Sequence, residues 1–365
     1  DDMDDVRVTL LNTTTGEVLA QIISPSFGSS TSPYDVNHIS LYDNDTKVFV
    51  SARSTNCVWH WGLPFIETAI RDNAQNYTAS ANYIVGGTSG DYTLIDFDGT
   101  EYSPGTDAYD LLHNGIASLW AGQHNVEYYG HDLLLMFDNG YDVVEGTFVK
   151  NSRMLAVRLD GDAKTATLEW EHKLDYNSSI FGDCDRLPTG NMFGCSWPTN
   201  GELNDGSIAA YDAEVFEVTT DNEMAWEMKV YGNYAARYNR SVVSNASDPT
   251  GGMMGWMMYS VERFYGQPLI TEISCSSEGL SFTTYNSFKV AYDYPGTYRV
   301  KREDGSDVVS SVKFDFSAFH RSTHVSASGS DISYTLKDEC TSENACYLEV
   351  SNKVGDALTT GLSCS

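Results

Sequence analysis

Short apolar runs, each closed by Asp, Asn or Gly, follow one another along most of the chain, and helical periodicity is nearly absent. Runs of this kind read as strands joined by tight turns. They fall at 6–11, 17–23, 36–41, 47–52, 82–86, 92–97, 122–129, 131–137, 153–159, 166–172, 191–196, 208–219, 224–231 and 258–265. The best helical stretch is 63–74, and its pattern is weak. A chain so built is expected to be all-β: a sandwich, a barrel or a propeller. A repeat decides among these. Met154 to Leu159 turns at Asp160-Gly161 and ends in Glu169-Trp170-Glu171. Ala213 to Val218 turns at Asp221-Asn222 and ends in Ala225-Trp226-Glu227. A fainter copy runs from Val8 to Leu11, turns at Thr15-Gly16 and returns over Val18 to Ala20. One such unit corresponds to two outer strands of a propeller blade. At roughly 40–45 residues per blade, the first 266 residues make six blades.

The repeat stops at Pro268. Beyond it the pattern is Ser-, Thr- and Val-rich alternation, as in Thr297 to Val300 and Ser333 to Leu336. The expectation is a six-bladed β-propeller over residues 1–266 and an immunoglobulin-like β-sandwich over 267–365. His320 and His324 in the second part read as surface histidines, because a strand-and-loop context gives residues four apart no shared face.

Composition narrows the function classes. The chain has 365 residues and is 41% hydrophobic, enough for two buried cores. A helical membrane span needs about 18 consecutive apolar residues. No run of that length occurs, so no such span is expected. A net charge of −29 would repel phosphate, which argues against nucleic acid and anionic membranes as partners. The same charge raises the question of calcium. Asp43-Asn44-Asp45, Asp96-Phe97-Asp98-Gly99 and Asp160-Gly161-Asp162 are partial loops of that kind. None has the full ligand spacing, and most read as hairpin turns, which need Asp, Asn and Gly, so no metal site is assigned.

The chain begins at Asp1 without a signal-like segment and reads as a mature, processed form. Sequons at Asn12, Asn44, Asn76, Asn177, Asn239 and Asn245 suggest a secreted, extracellular or cell-surface glycoprotein. Seven cysteines agree with an oxidising compartment. The pairs expected are Cys184–Cys195 across a hairpin turn, Cys340–Cys346 around a small loop, and Cys275–Cys364 across the last segment, with Cys57 a buried free thiol.

Chemistry is concentrated between Leu119 and Tyr141. Two apolar runs there, Val126 to Tyr129 and Leu133 to Phe137, make a hairpin around Gly130. His124 opens one strand and Asp138-Asn139-Gly140 closes the other, so their side chains meet at one rim. A polar cluster at the open end of a sheet is where β architectures place sites.

This stretch, Gln123-His124 followed by Phe137-Asp138-Asn139-Gly140, resembles the arylsulfate sulfotransferases. These are secreted β-propeller enzymes that move a sulfuryl group between phenols through a histidine. Other pieces match in the family's order: Asp35 to Ile39 with Val50 to Arg53, Tyr83 to Gly87, Ser152-Arg153 through Glu171, and Gly182 to Asn191. The resemblance spans roughly residues 30–266. It implies a site at the axial mouth built from His124, Asn139, Asn37, His38, Arg53 and Arg153. There, arginine forks would suit sulfonate oxygens.

The departures from the family pattern are chemical. Asp35 stands where the family has its first histidine, and its arginine after the Asn-Gly turn falls near Asp142 or Val143. Tyr176-Asn177-Ser178-Ser179 fills the place of the nucleophilic histidine. His38 is the best substitute by position; His172 sits on an outer strand, and His60, His113 and His131 have no motif support. His124 can equally serve the chemistry or tie the inner strand to the turn, and the two arginines read rather as inter-blade ion pairs. Gly251 to Met258 reads as a core strand entered through a flexible loop. With the nucleophile missing, the expected function is a non-catalytic extracellular protein used in binding, adhesion or assembly, with other extracellular chains or glycans as partners. The alternative is sulfuryl transfer from a small aryl sulfate to a phenolic or saccharide acceptor.

Overall fold

The structure is a computed structural model. It describes residues 7–11, 14–23, 35–42, 47–62, 77–78, 81–87, 89–104, 119–142, 146–148, 150–198, 212–230, 258–276, 279–328, 336–341 and 344–364. The described chain is all-β, and it divides into two compact units. One holds Asp1–Arg186 with Gly190–Val261; the other holds Leu187–Thr189 with Glu262–Ser365.

In the first unit, two four-stranded antiparallel sheets have the same neighbour-to-neighbour order. Val36–Tyr42, Lys47–Ala52, Cys57–Trp61 and Tyr83–Val85 form one; Asp183–Arg186, Met192–Ser196, Ala213–Val218 and Met224–Val230 form the other. A larger sheet runs His124–Gly130, Leu133–Asp138, Arg153–Asp160, Thr165–Lys173, Thr93–Ile95 and Glu101–Tyr102. Its Thr165–Thr167 edge pairs in parallel with Thr93–Ile95. Arg7–Leu11, Val18–Ile23 and Tyr77–Thr78 make a three-stranded sheet.

All six residues of Leu133–Asp138 are buried. A strand flanked on both sides and covered on both faces needs no polar alternation. Leu133, Leu135 and Phe137 pack with Met154, Tyr176, Cys184 and Phe216 in one cluster.

In the second unit, Leu269–Ser276, Gly279–Tyr285 and Thr323–Ala327 form one sheet. Asp307–Phe316, Tyr294–Arg302, Cys346–Asn352 and Ala357–Leu362 form another. Phe282 and Val325 of the first share a core with Tyr298, Val300, Phe316, Leu348 and Val350 of the second. Cys346–Asn352 is buried at every second residue, the sign of a strand with one face inward.

Several expectations change. Cys57–Trp61 is a strand that the pattern missed, because all five residues are buried and none alternates. Residues 258–265 form no strand. Their main-chain groups are used otherwise: the Gly182 amide donates to the Tyr259 carbonyl at 3.3 Å, and the Val261 amide donates to Asp183 Oδ2 at 2.9 Å. The weak helix at 63–74 and most of Gly251 to Met258 lie outside the described residues.

Cys275–Cys364 and Cys340–Cys346 are disulfides, whereas Cys57, Cys184 and Cys195 are free and buried. The expected Cys184–Cys195 bridge is absent for a reason of register. Cys195 pairs with Asp183, and Cys184 pairs with Gly194. Adjacent strand residues face opposite sides, so the two thiols lie on opposite faces of the sheet. His320 is not a surface residue: it is 2% exposed, with its ring edge-on to Tyr265 and its Nε2 at 3.3 Å from the Arg263 carbonyl. His324 is exposed.

The two described Asp-rich loops are turns closed by their own carboxylates. Asp98 Oδ1 accepts from the Thr100 amide at 2.8 Å, and Asp160 Oδ1 accepts from the Asp162 and Ala163 amides at 3.0 and 2.8 Å. Asp43 to Asp45 lies outside the described residues.

Candidate functional site

The hairpin register sets His124 beside Phe137, and Asp138 beside Arg153 on the next strand. The Asp138-Asn139-Gly140 turn therefore closes directly next to His124. Gly140 sits at φ 60°, where a Cβ would run into the Lys150 carbonyl, so this turn needs glycine.

His124 is 2% exposed. Its Nδ1 lies 2.7 Å from Asn139 Oδ1 and 3.2 Å from the Gly122 carbonyl. Asn139 Nδ2 donates to the carbonyls of Ser178 and Phe181, at 2.7 and 2.9 Å. Ser152 Oγ closes the same knot, donating to the Asn139 carbonyl at 2.7 Å and accepting from the Ser178 amide at 2.7 Å. Phe181 and Tyr259 stand edge-on to the imidazole, with ring centroids 6.3 and 6.0 Å away. Phe181 is held at φ 67°, an unusual conformation for a bulky residue. Burial pushes the His124 pKa down to about 4; the Asn139 hydrogen bond opposes this, and the Arg53 charge adds to it. The ring is neutral at pH 7.

Arg53 is 8% exposed. It donates from Nη1 to Asp35 Oδ2 at 2.7 Å and from Nη2 to the Ser179 carbonyl at 2.6 Å, with Tyr141 5.8 Å beneath the guanidinium. Its Nε is buried without an acceptor. Asn37 Nδ2 donates to the Gln123 carbonyl at 2.6 Å, and Tyr259 donates its hydroxyl hydrogen to the Asn37 carbonyl. Gln123 Nε2 reaches back to the carbonyls of Ala52 and Cys57, both at 3.1 Å.

Arg153 belongs to a neighbouring knot. Its Nε donates to Asp138 Oδ2 at 2.9 Å, and its two terminal nitrogens donate to Glu171 and to the Leu119 carbonyl. Lys150 adds a second cation to Asp138 at 3.2 Å. Asp138 is fully buried, and its Oδ1 accepts from the Ala121 and Gly140 amides at 2.8 and 2.9 Å. Burial would raise its pKa, but Lys150 and Arg153 hold it below the usual carboxylate range. Burial lowers Lys150 to about 8 against the pull of Asp138.

Of the six residues read from the sequence, His124 and Asn139 bond directly. Arg53 and Asn37 stop one residue short of them: Arg53 donates to the carbonyl of Ser179, next to the Ser178 carbonyl that Asn139 uses, and Asn37 to the carbonyl of Gln123, the residue before His124. Arg153 points into the Asp138 network. His38 lies on the strand face of Ser40 and Tyr42, since residues two apart share a face. Ser40 Oγ accepts there from the Tyr128 amide at 3.4 Å. His172 is tied to Asn222 Oδ1 at 2.7 Å on a different sheet edge. Of the family positions that differ here, Asp35 pairs with Arg53, and Ser178 and Ser179 supply carbonyls to Asn139 and Arg53. Phe181 and Tyr259 were not anticipated: a lone aromatic after a turn, and another far along the chain, carry no spacing signal.

A family model described as arylsulfotransferase (ASST) matches residues 34–239, more than half of the chain. No curated protein matches the chain. Among solved structures, Kuenenia stuttgartiensis hydrazine synthase is similar at 8% identity, with a TM-score of 0.28, over 92% of this chain and 69% of that one. A candidate 6-phosphogluconolactonase from Bacteroides fragilis NCTC 9343 is similar at 8% identity, with a TM-score of 0.20, over 92% of this chain and 83% of that one. Likeness at that level carries no argument about fold or activity.

Proposed function

We propose that this chain, which belongs to the arylsulfotransferase family, keeps the family's scaffold without sulfuryl transfer and serves as an extracellular binding or assembly protein. One observation carries this reading: both motif arginines are ion-paired to carboxylates of the protein itself. Sulfuryl transfer needs a nucleophile together with cationic or donor groups on the sulfonate oxygens. Here Asp35 and the Ser179 carbonyl hold Arg53, and Asp138 and Glu171 hold Arg153. The stretch in the place of the family nucleophile carries no histidine and supplies main-chain carbonyls, Ser178 to Asn139 and Ser179 to Arg53. The second reading, sulfuryl transfer at His124, is favoured by its neutral imidazole.

A chromogenic aryl sulfate incubated with phenol separates the two. The expected result is no release of the phenol chromophore above the buffer rate, for both the wild-type chain and His124→Ala. Turnover that disappears in His124→Ala would establish the enzyme reading instead.

The scaffold is read as six blades followed by an immunoglobulin-like sandwich. The two four-stranded antiparallel sheets of the first unit, and the two sheets around one core in the second, support this. Two formed disulfides suit an oxidising, extracellular setting. Among the sequons, Asn177 is half-buried with Oδ1 enclosed, and the other five lie outside the described residues. A density map of the protein secreted from a eukaryotic host should show six radial sheets about one axis and sugar on at least three sequons. A different blade count, or bare asparagines throughout, removes the corresponding part of this reading.

A further inference from the structure

The first unit holds a stacked pair of tyrosines whose hydroxyls each meet a base. The ring centroids of Tyr42 and Tyr128 are 4.0 Å apart, with 30° between the planes. Aromatic pairs ordinarily sit about 4.5–7 Å apart, so these two faces are in close contact. Phe49, fully buried, stacks against both at 5.2 and 5.3 Å and holds the pair in place. The Tyr42 hydroxyl lies 2.7 Å from His60 Nε2. Tyr128 donates its hydroxyl hydrogen to Asp132 Oδ1 at 3.2 Å, and its oxygen accepts from the Asp132 amide at 3.0 Å. Burial, and after it the charges of Lys47 and Lys164, lower the His60 pKa to about 4. The imidazole is therefore neutral at pH 7 and carries one nitrogen lone pair. With the ring hydrogen on Nδ1, Nε2 takes the phenol hydrogen.

The two rings differ in access. Tyr42 is 4% exposed, whereas Tyr128 is half-buried and its hydroxyl meets Asp132 at the surface. An oxidant too large to enter the fold reaches Tyr128 first. The rings also belong to different sheets. Tyr42 ends Val36–Tyr42, an edge strand of a four-stranded sheet, and Tyr128 lies in His124–Gly130, an edge strand of the six-stranded one. The second unit is stapled by two disulfides, while Cys57, Cys184 and Cys195 of the first unit are free thiols.

We propose that Tyr42 and Tyr128 are an oxidative cross-linking site, joined through their ortho carbons into dityrosine by a one-electron oxidant such as a peroxidase with hydrogen peroxide. The bond staples two sheets of the first unit, and it is independent of any sulfuryl transfer. The first oxidation takes an electron from Tyr128, and Asp132 takes the hydroxyl proton. The hole then passes through the stack to Tyr42: Asp132 returns its proton to Tyr128, and His60 accepts the one from Tyr42. A second oxidation makes Tyr128 a radical again, with its proton on Asp132. One carbon–carbon bond forms between the two radicals, and the two ortho carbon–hydrogen bonds break. The bases return their protons to the phenol oxygens, a return favoured at His60 by the charges of Lys47 and Lys164. Two electrons and two protons leave in all, and one hydrogen peroxide becomes two waters.

The test is photochemical oxidation of the full chain by tris(bipyridyl)ruthenium with persulfate, followed by peptide mass mapping. This oxidant takes single electrons and works from outside the fold. The expected product is one predominant cross-linked peptide pair that contains Tyr42 and Tyr128, is lighter than its components by two hydrogens, and shows dityrosine fluorescence. Tyr83 with Tyr92 and Tyr292 with Tyr294 are also in ring contact, but they are tilted and their centroids are 5.2 and 6.3 Å apart. Those pairs should stay unjoined. Coupling mainly there, coupling only between chains, or no coupling overturns the site. Oxidation in denaturing urea should lose the Tyr42–Tyr128 product, and an equal yield there overturns the role of the stack.

Tyr128→Phe keeps an aromatic ring in the stack and should remove both the peptide pair and the fluorescence; fluorescence that persists comes from another pair and overturns the predominance of this one. His60→Phe removes the proton acceptor of Tyr42 and should lower the initial yield about 10-fold or more, the scale expected of a positioned proton acceptor. An unchanged yield overturns the part given to His60. The wild-type mapping needs neither variant, so it decides the site even where a variant does not fold.

Discussion

Replacing Arg153 by methionine should destabilise the first unit by about 3–5 kcal/mol, the usual consequence of stripping one partner from a buried charge pair. Asp138 is fully buried and Glu171 mostly so. Methionine fills comparable volume, so the loss is mainly electrostatic. Three acceptors lose one donor each: Asp138, Glu171, which keeps Lys173, and the Leu119 carbonyl. Lys150 remains 3.2 Å from Asp138 and tempers the effect without replacing the planar fork.

Arg158→Met is the matched control. Its pair with Glu169 lies on the same sheet at 2.8 Å but is partly exposed. Exposed pairs contribute about 0–1 kcal/mol. Equilibrium urea unfolding at pH 7 reads both. Equal losses for the two variants would show that the Asp138 knot is not a buried network. The pH dependence gives a second reading. Asp138 has a depressed pKa in the folded state. The stability it supplies is present above the ordinary carboxylate pKa and is lost as pH falls through the folded value. Without Arg153 that depression shrinks, so the variant's stability should fall less steeply towards acid.

What the sequence disclosed follows from which physics is local. Alternation and turn residues are local, and they place strands such as Arg153–Asp160 and Met224–Val230 within a residue or so. Cys57–Trp61 escaped, because a strand covered on both faces has no period to detect. Residues 258–265 misled for the opposite reason. They alternate like a strand, but they lie beside the start of Asp183–Arg186, with Asp183 taking the Val261 amide. The meeting of His124 with Asn139 was legible, because one hairpin brings them together. The partners of Arg153 were not, since Asp138 and Glu171 reach it only through the pairing of three strands. The same limit explains the cysteines. Spacing across a turn suggests Cys184–Cys195, and only the register shows that they face apart.

The cysteines of the second unit lead to the other large effect. Removing the Cys275–Cys364 bridge, as the double alanine variant, should cost about 4–5 kcal/mol. Removing Cys340–Cys346 should cost about 2 kcal/mol. A sequence separation of 6 restricts the unfolded chain far less than one of 89. The long bridge also has a structural task. Cys275 lies in the Leu269–Ser276 strand of one sheet, and Cys364 lies just past Ala357–Leu362 of the other, so the bond ties together the two sheets that share the core. The short bridge joins residues already close to the same strand ends: Cys346 pairs with Leu362, and the Cys364 amide donates to the Cys340 carbonyl at 2.9 Å.

That contact couples the two bridges, so removing all four cysteines should not cost the sum of the separate losses. A domain of ordinary stability has about 5–15 kcal/mol in hand, so loss of the long bridge brings this unit close to its limit. Guanidinium unfolding of the full chain, followed by a probe in the second unit, measures each loss. If the Cys275–Cys364 variant unfolds no earlier than the Cys340–Cys346 variant, loop length does not govern here. The core around Phe282, Tyr298 and Val350 would then be holding the two sheets together without help from sulfur.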